Sequence, residues 1–146
     1  MVDYERLSKL AIEAKSMAYS PYSNFNVGAV LLAKSGKIYI GCNIESASYT
    51  PTICAERVAL YKAVSEGERE FVAIAVTGSF NNTKNNIKKE PDYCYPCGVC
   101  RQSLREFVKE PNELIVIISK TATDYRIHSL GELFPHSFGP DDLQAT

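Results

Sequence analysis

Apolar residues recur at helical spacing over residues 4–19, where Leu7, Leu10, Ala11, Ala14, Met17 and Ala18 share one face before Ser20-Pro21 ends the run. The pattern then becomes a continuous apolar stretch over residues 25–33, which predicts a buried strand. Ser35-Gly36 predicts a tight turn into a second strand over 37–41. Helical spacing returns over 53–66, opened by Thr50-Pro51-Thr52 and closed before Gly67. A β-rich apolar run follows at 71–77. Residues 78–95 are polar and read as a long irregular loop, in which Asn81, Asn82, Asn85, Asn86, Lys84, Lys88 and Lys89 predict a mobile, solvated segment. A third helix is expected over 98–109, stopped at Glu110-Pro111. Then come an apolar strand over 114–119, a further strand near 125–127, and a short helix over 129–133 before Pro135.

The order helix, hairpin, helix, strand, helix, strand predicts an α/β fold, a three-layer α-β-α sandwich around a mixed, mostly parallel sheet of about five strands. The hairpin requires an antiparallel edge, and the later strand-helix-strand stretch implies parallel pairing. With no internal repeat and no linker, residues 1–146 read as a single domain. A composition of 45% hydrophobic and 23% charged residues is that of a soluble globular protein. Sixteen Lys plus Arg against seventeen Asp plus Glu leave a formal charge of −1, which argues against a nucleic-acid partner. The first six residues mix both charge signs without an apolar segment, and no apolar run approaches membrane-spanning length. The expectation is a cytoplasmic protein with no membrane association.

Five cysteines do not make a simple disulfide framework. Two of them form Cys97-Gly98-Val99-Cys100, and Cys54 stands far upstream in Cys54-Ala55-Glu56. Cys54 and Cys97 fall at predicted helix starts, where free backbone amides and the helix dipole favour a thiolate, the form that binds Zn²⁺. A spacing of three lets the first helical turn point Cys97 and Cys100 at one ion. Three protein ligands, rather than four, are the mark of a catalytic zinc site with a coordination position left for water. Glu56, two residues past Cys54, is placed beside that position to accept and return a proton. Arg57 directly follows Glu56, and a cation hydrogen-bonded to a ligand sulfur would offset the negative charge of three thiolates. Arg101 could act likewise or lie at the surface. A four-sulfur structural site completed by Cys94 or Cys42 is the alternative, but it leaves Glu56 unexplained.

These motifs carry a resemblance that extends along the chain. The segment from Ser20-Pro21-Tyr22-Ser23-Asn24-Phe25 to Val27-Gly28-Ala29, the run Gly41-Cys42-Asn43-Ile44-Glu45, Cys54-Ala55-Glu56-Arg57, Pro96-Cys97-Gly98-Val99-Cys100-Arg101-Gln102 and the tail Leu133-Phe134-Pro135-His136-Ser137-Phe138 are together similar to the small cytidine deaminases. Base deaminases pair a three-ligand zinc with a glutamate that moves protons. The resemblance implies hydrolytic deamination of free cytidine and deoxycytidine, as in pyrimidine salvage, with one zinc per subunit. It implies that Phe25 packs on the pyrimidine, that Asn43 and Glu45 hold the ribose hydroxyls, and that the Ala55 backbone meets the base edge. It also implies a homotetramer with shared active sites, into which Tyr49 and Phe138 reach from neighbouring subunits. Two departures stand out: the 78–95 connection is longer than usual, and Tyr95 stands where a serine commonly precedes the Pro-Cys pair.

Overall fold

The computed structural model describes residues 1–81 and 90–143. Its first element is helix α1 (Tyr4–Ala14), whose N-terminus is capped by the Asp3 carboxylate accepting the Arg6 amide at 3.0 Å. A 3₁₀ turn (Lys15–Met17) follows, then strands β1 (Phe25–Ala33) and β2 (Ile38–Cys42), joined through Gly36 at φ +92°. Helix α2 (Ala55–Ser65) ends before Gly67, also in the left-handed region. After it come β3 (Phe71–Phe80), α3 (Gly98–Arg105), β4 (Ile115–Ser119), β5 (Tyr125–Ser129) and the one-turn helix α4 (Leu130–Leu133), opened by a Ser129–Glu132 capping box.

The five strands form one sheet in the order β2-β1-β3-β4-β5. Side chains alternate across it, so β3 sends Ala73 and Ala75 to one face and Ile74 and Val76 to the other. On the first face Leu7 and Ala11 of α1 pack with Val30 and Ile117. On the second, Ala59, Leu60 and Ala63 of α2 and Leu104 of α3 cover Leu31, Val116 and Ile118. Both helical layers approach the sheet at backbone distance because glycine lets them. A Cβ at Gly28 would fall 2.0 Å from the Ala11 carbonyl oxygen, and one at Gly41 2.3 Å from that of Ala55.

The three-layer mixed sheet of five strands agrees with expectation, but the expected predominance of parallel pairing is wrong. Only β3 and β4 pair in parallel; β1–β2, β1–β3 and β4–β5 are antiparallel. The reason is topological: α2 carries the chain from β2 across the intervening β1, so β3 runs with β2 and therefore against its actual neighbour. Strand β3 also runs three residues past the expected Thr77, because its end pairs with Phe25, Asn26 and Val27. The irregular connection therefore begins at Asn81. The expected mobility centred on its Asn- and Lys-rich part concerns residues 82–89, which lie outside the described residues. Helix α3 stops at Arg105, four residues short of expectation, where the arginine side chain turns back to donate to the Val108 carbonyl at 2.7 Å. Among the described residues no helix is long and apolar enough to cross a membrane.

Candidate metal centre and active site

The starts of α2 and α3 meet on the second face of the sheet. Cys54 is the N-cap of α2 and Cys97 that of α3, and neither side chain is spent on capping its own helix. Cys100 enters from the first turn of α3. The sulfurs lie within 4.8 Å of one another, with Cys54 and Cys97 at 3.8 Å and Cys97 and Cys100 at 3.6 Å. Zinc–sulfur bonds of about 2.3 Å at tetrahedral angles would separate two sulfurs by about 3.8 Å, so the donor set fits the ion. Neither rival fourth ligand joins them: among the described residues the cluster is Cys54, Cys97 and Cys100 alone. Cys94 instead packs above Gly78, whose Cβ would come 2.8 Å from its sulfur, and burial pushes its thiol up to about 11.

Charge around the sulfurs is arranged to keep a thiolate. Hydrogen bonding from Cys100, opposed by burial and aided by Arg57, holds Cys54 down to about 5. Cys100 moves the other way, raised by that shared proton and by burial. The Arg57 guanidinium donates to the Cys54 sulfur at 3.7 Å. Burial would lower its pKa, but the contacts with Cys54 and Cys100 win and raise it, so the cation persists. Arg101 does not reach a sulfur. It donates from Nε to the Pro96 carbonyl at 2.8 Å and from its terminal nitrogen to the Leu133 carbonyl, tying α3 to the C-terminal segment.

Glu56 lies in the first turn of α2, 4% exposed, and its Oε1 is buried without a hydrogen-bond partner. A carboxylate left so is costly unless a ligand or proton completes it. Burial pushes its carboxyl up to about 7, and the negative charge at Cys54 acts in the same direction. A group poised there can both take and release a proton near neutrality.

The remaining predicted residues lie on β1, on the segment after β2 and at the start of α2. Phe25 packs edge-on against Phe80, with centroids 5.1 Å apart, in a cleft of about 280 Å³ that Gly78, Tyr93 and Cys94 also line. Asn43 is buried and bridges β1: its Oδ1 accepts the Val27 amide and its Nδ2 donates to the Phe25 carbonyl, both at 2.8 Å. Glu45 accepts the amides of Tyr22 and Ser23, at 3.0 and 3.1 Å, and the Ser23 hydroxyl. Burial would raise its carboxyl, but these bonds outweigh burial and hold it below the usual carboxylate range. Ala55, fully buried, opens α2, where its amide has no intrahelical partner.

The zinc-binding region of the cytidine and deoxycytidylate deaminases matches residues 1–117 as a family model. The chain belongs to this deaminase family. A cytidine deaminase of Halalkalibacterium halodurans is 43% identical over 142 residues, spanning 97% of this chain and 98% of that one. One from Sporosarcina psychrophila is 40% identical over 142 residues, 97% and 96% of the two chains. The crystal structure of the cytidine deaminase from Burkholderia pseudomallei superposes with a TM-score of 0.80 at 41% identity, covering 94% of this chain and all of that one. The Mycobacterium tuberculosis cytidine deaminase superposes with a TM-score of 0.75 at 34% identity, covering 95% and 99%.

Two further residues that the resemblance to this family singled out are exposed. Tyr49 is 72% exposed with φ +63°, its ring edge-on to Tyr22 at 6.0 Å. Phe138 is 56% exposed, and its carbonyl accepts from Gln102 Nε2 at 2.9 Å. The sequence reading missed Ser23 and Gln102 as supports of Glu45 and of the Phe138 segment. Neither pairing has a periodic signal, since the partners are 22 and 36 residues apart.

Proposed function

We propose that this chain hydrolyses free cytidine and deoxycytidine to uridine and deoxyuridine with release of ammonia, using one zinc per subunit. What carries the reading is the pairing of a three-sulfur donor set with a buried, unpartnered Glu56 carboxyl at the same pair of helix starts. Zinc held by Cys54, Cys97 and Cys100 supplies Lewis acidity that brings water toward ionisation at neutral pH. Glu56 takes one proton from the attacking water and delivers it to N3 of the cytosine, then takes the remaining proton of the new C4 hydroxyl and passes it to the amino group, so that ammonia leaves and the C4 carbonyl forms. A carboxyl raised to about 7 suits this exchange of base and acid roles. Arg57 offsets the charge of the thiolates from its bond to Cys54.

Recognition is assigned to Phe25, Ala55, Asn43 and Glu45. Phe25 packs on the pyrimidine, and the free Ala55 amide faces the base edge. Asn43 has used one amide hydrogen and one acceptor position on β1, leaving one of each for a ribose hydroxyl. Glu45 keeps acceptor capacity after three internal bonds. The exposed aromatic rings of Tyr49 and Phe138 support assembly into a homotetramer, each completing a neighbour's pocket. The protein's place is then pyrimidine salvage in the cytoplasm. Zinc-loaded protein should release ammonia from cytidine, and Glu56→Gln should keep its zinc while losing turnover by about 10³-fold. Undiminished turnover in that variant would remove Glu56 from the proton path.

A further inference from the structure

The core does not hold all three sulfurs equally. Cys100 is fully buried and Cys54 half-buried, but Cys97 is exposed on the turn before α3. Its position must come from the chain that leads into it. Pro96, buried, has its φ fixed by its ring, and the residue before a proline is excluded from the helical region. Residues 95–97 are therefore a stiff connector, and whatever orients Tyr95 orients Cys97 with little slack.

Tyr95 is held from the edge strand β5, on the face of the sheet that α3 covers. Its ring packs against the main core cluster and lies 5.5 Å from the His128 imidazole at 60°. With the imidazole proton on Nδ1 facing Glu132 Oε2 at 3.5 Å, Nε2 accepts the Tyr95 phenol hydrogen at 3.1 Å. Glu132 is itself fixed in the capping box that opens α4. A parallel tie lies two residues upstream, where Tyr93 donates to Asp124 at 2.6 Å and the Arg126 guanidinium sits 3.8 Å from its ring centroid. From the other side Arg101 grips the Pro96 carbonyl. The connector is thus clamped between β5 and α3, and a serine at position 95 could not span to His128.

We propose that Tyr95 and His128 are positioning residues that brace the turn carrying Cys97 and so set how tightly the three-cysteine site holds its metal. The inference rests on Cys97 being a metal ligand. Partners that orient metal ligands are worth about 10–100-fold in affinity in other sites, and an indirect brace belongs at the lower end of that range.

The test is the rate at which zinc passes from the loaded, full-length protein to a chromogenic chelator in excess. Tyr95→Ala should release zinc about 10-fold faster than wild type. Tyr95→Phe, which keeps the ring but loses the bond to His128, and His128→Gln should fall between. Tyr4→Ala supplies the control, since it removes an aromatic contact of the same kind, with Tyr125 at 6.0 Å, away from the metal cluster. It should release zinc at the wild-type rate. Tyr95→Phe and Tyr95→Ala both within twofold of wild type would overturn the brace, as would Tyr4→Ala accelerating release as much as Tyr95→Ala. Cys97→Ser releasing zinc no faster than wild type would instead overturn the ligand assignment beneath it.

Discussion

Replacing Gly41 by alanine puts a methyl group where two elements of backbone already meet. On β2 the new Cβ would lie 2.3 Å from the Ala55 carbonyl oxygen, 2.6 Å from the Ala59 nitrogen and 3.2 Å from its Cα. All three are main-chain atoms of α2, so no side chain can rotate away. Ordinary contact begins at 3.4 Å. The first turns of the helix must therefore retreat from β2 by about 1 Å, the shortfall at the Ala55 oxygen being 3.4 − 2.3 = 1.1 Å. Overpacking of this kind costs about 1–3 kcal/mol, roughly 2–12 °C in unfolding temperature for a domain of this size. The larger consequence is chemical. Cys54 and Glu56 ride on the displaced turn, while Cys97 and Cys100 belong to α3 and stay behind. A misplacement of about 1 Å among reacting groups costs about 10²-fold in rate. Thermal unfolding and ammonia release from cytidine would be measured together, with Gly98→Ala as the matched control. Gly98 adjoins Cys97, yet a Cβ there meets nothing within 4 Å, and its substitution should leave unfolding within about 1 kcal/mol of wild type. Gly41→Ala that unfolds like wild type and turns over within a few-fold of it would show that α2 is not locked to β2 as described.

Arg57→Ala removes the donor to the Cys54 sulfur and should weaken zinc binding by about 10-fold in chelator competition. Unchanged affinity would take the guanidinium out of the site. The raised Glu56 carboxyl has a thermodynamic signature in metal-free protein. Between its ordinary value of 4.5 and about 7 the folded chain keeps a proton the unfolded chain has lost, so this group's contribution to stability is present below about 4.5 and falls as pH rises through about 7. The loss is up to roughly 3 kcal/mol. Glu56→Gln cannot titrate, so its unfolding temperature should gain on that of metal-free wild type between pH 5 and pH 8, and a constant gap would contradict the burial argument.

What could be read in advance was what local spacing encodes. Helical periodicity marked the buried face of α1, and the apolar run of β1 was legible to the residue. The clustering of the three cysteines was legible because Cys54 and Cys97 are also helix starts, so one local feature fixes both backbone and sulfur. The sense of the β1–β3 pairing was not, because it depends on α2 crossing over β1, and no spacing records a crossover. Gly78 and Ser79 looked like a strand's end and are paired only because β1 runs alongside. The internal use of Asn43 and Glu45 was hidden too, since a polar residue after a strand looks the same whether it faces a ligand or the backbone of a distant strand.

Ligands drawn from two helix starts would also make the ion a cross-link. Cys54 and Cys97 are 43 residues apart in sequence, and the chain between them includes α2 and all of β3. An ion gripping both would close that span, so that its affinity would add to folding free energy. Protein made faster than zinc is supplied would open more often and meet proteases in that state. Its lifetime in the cell, and not only its activity, would then follow the supply of metal.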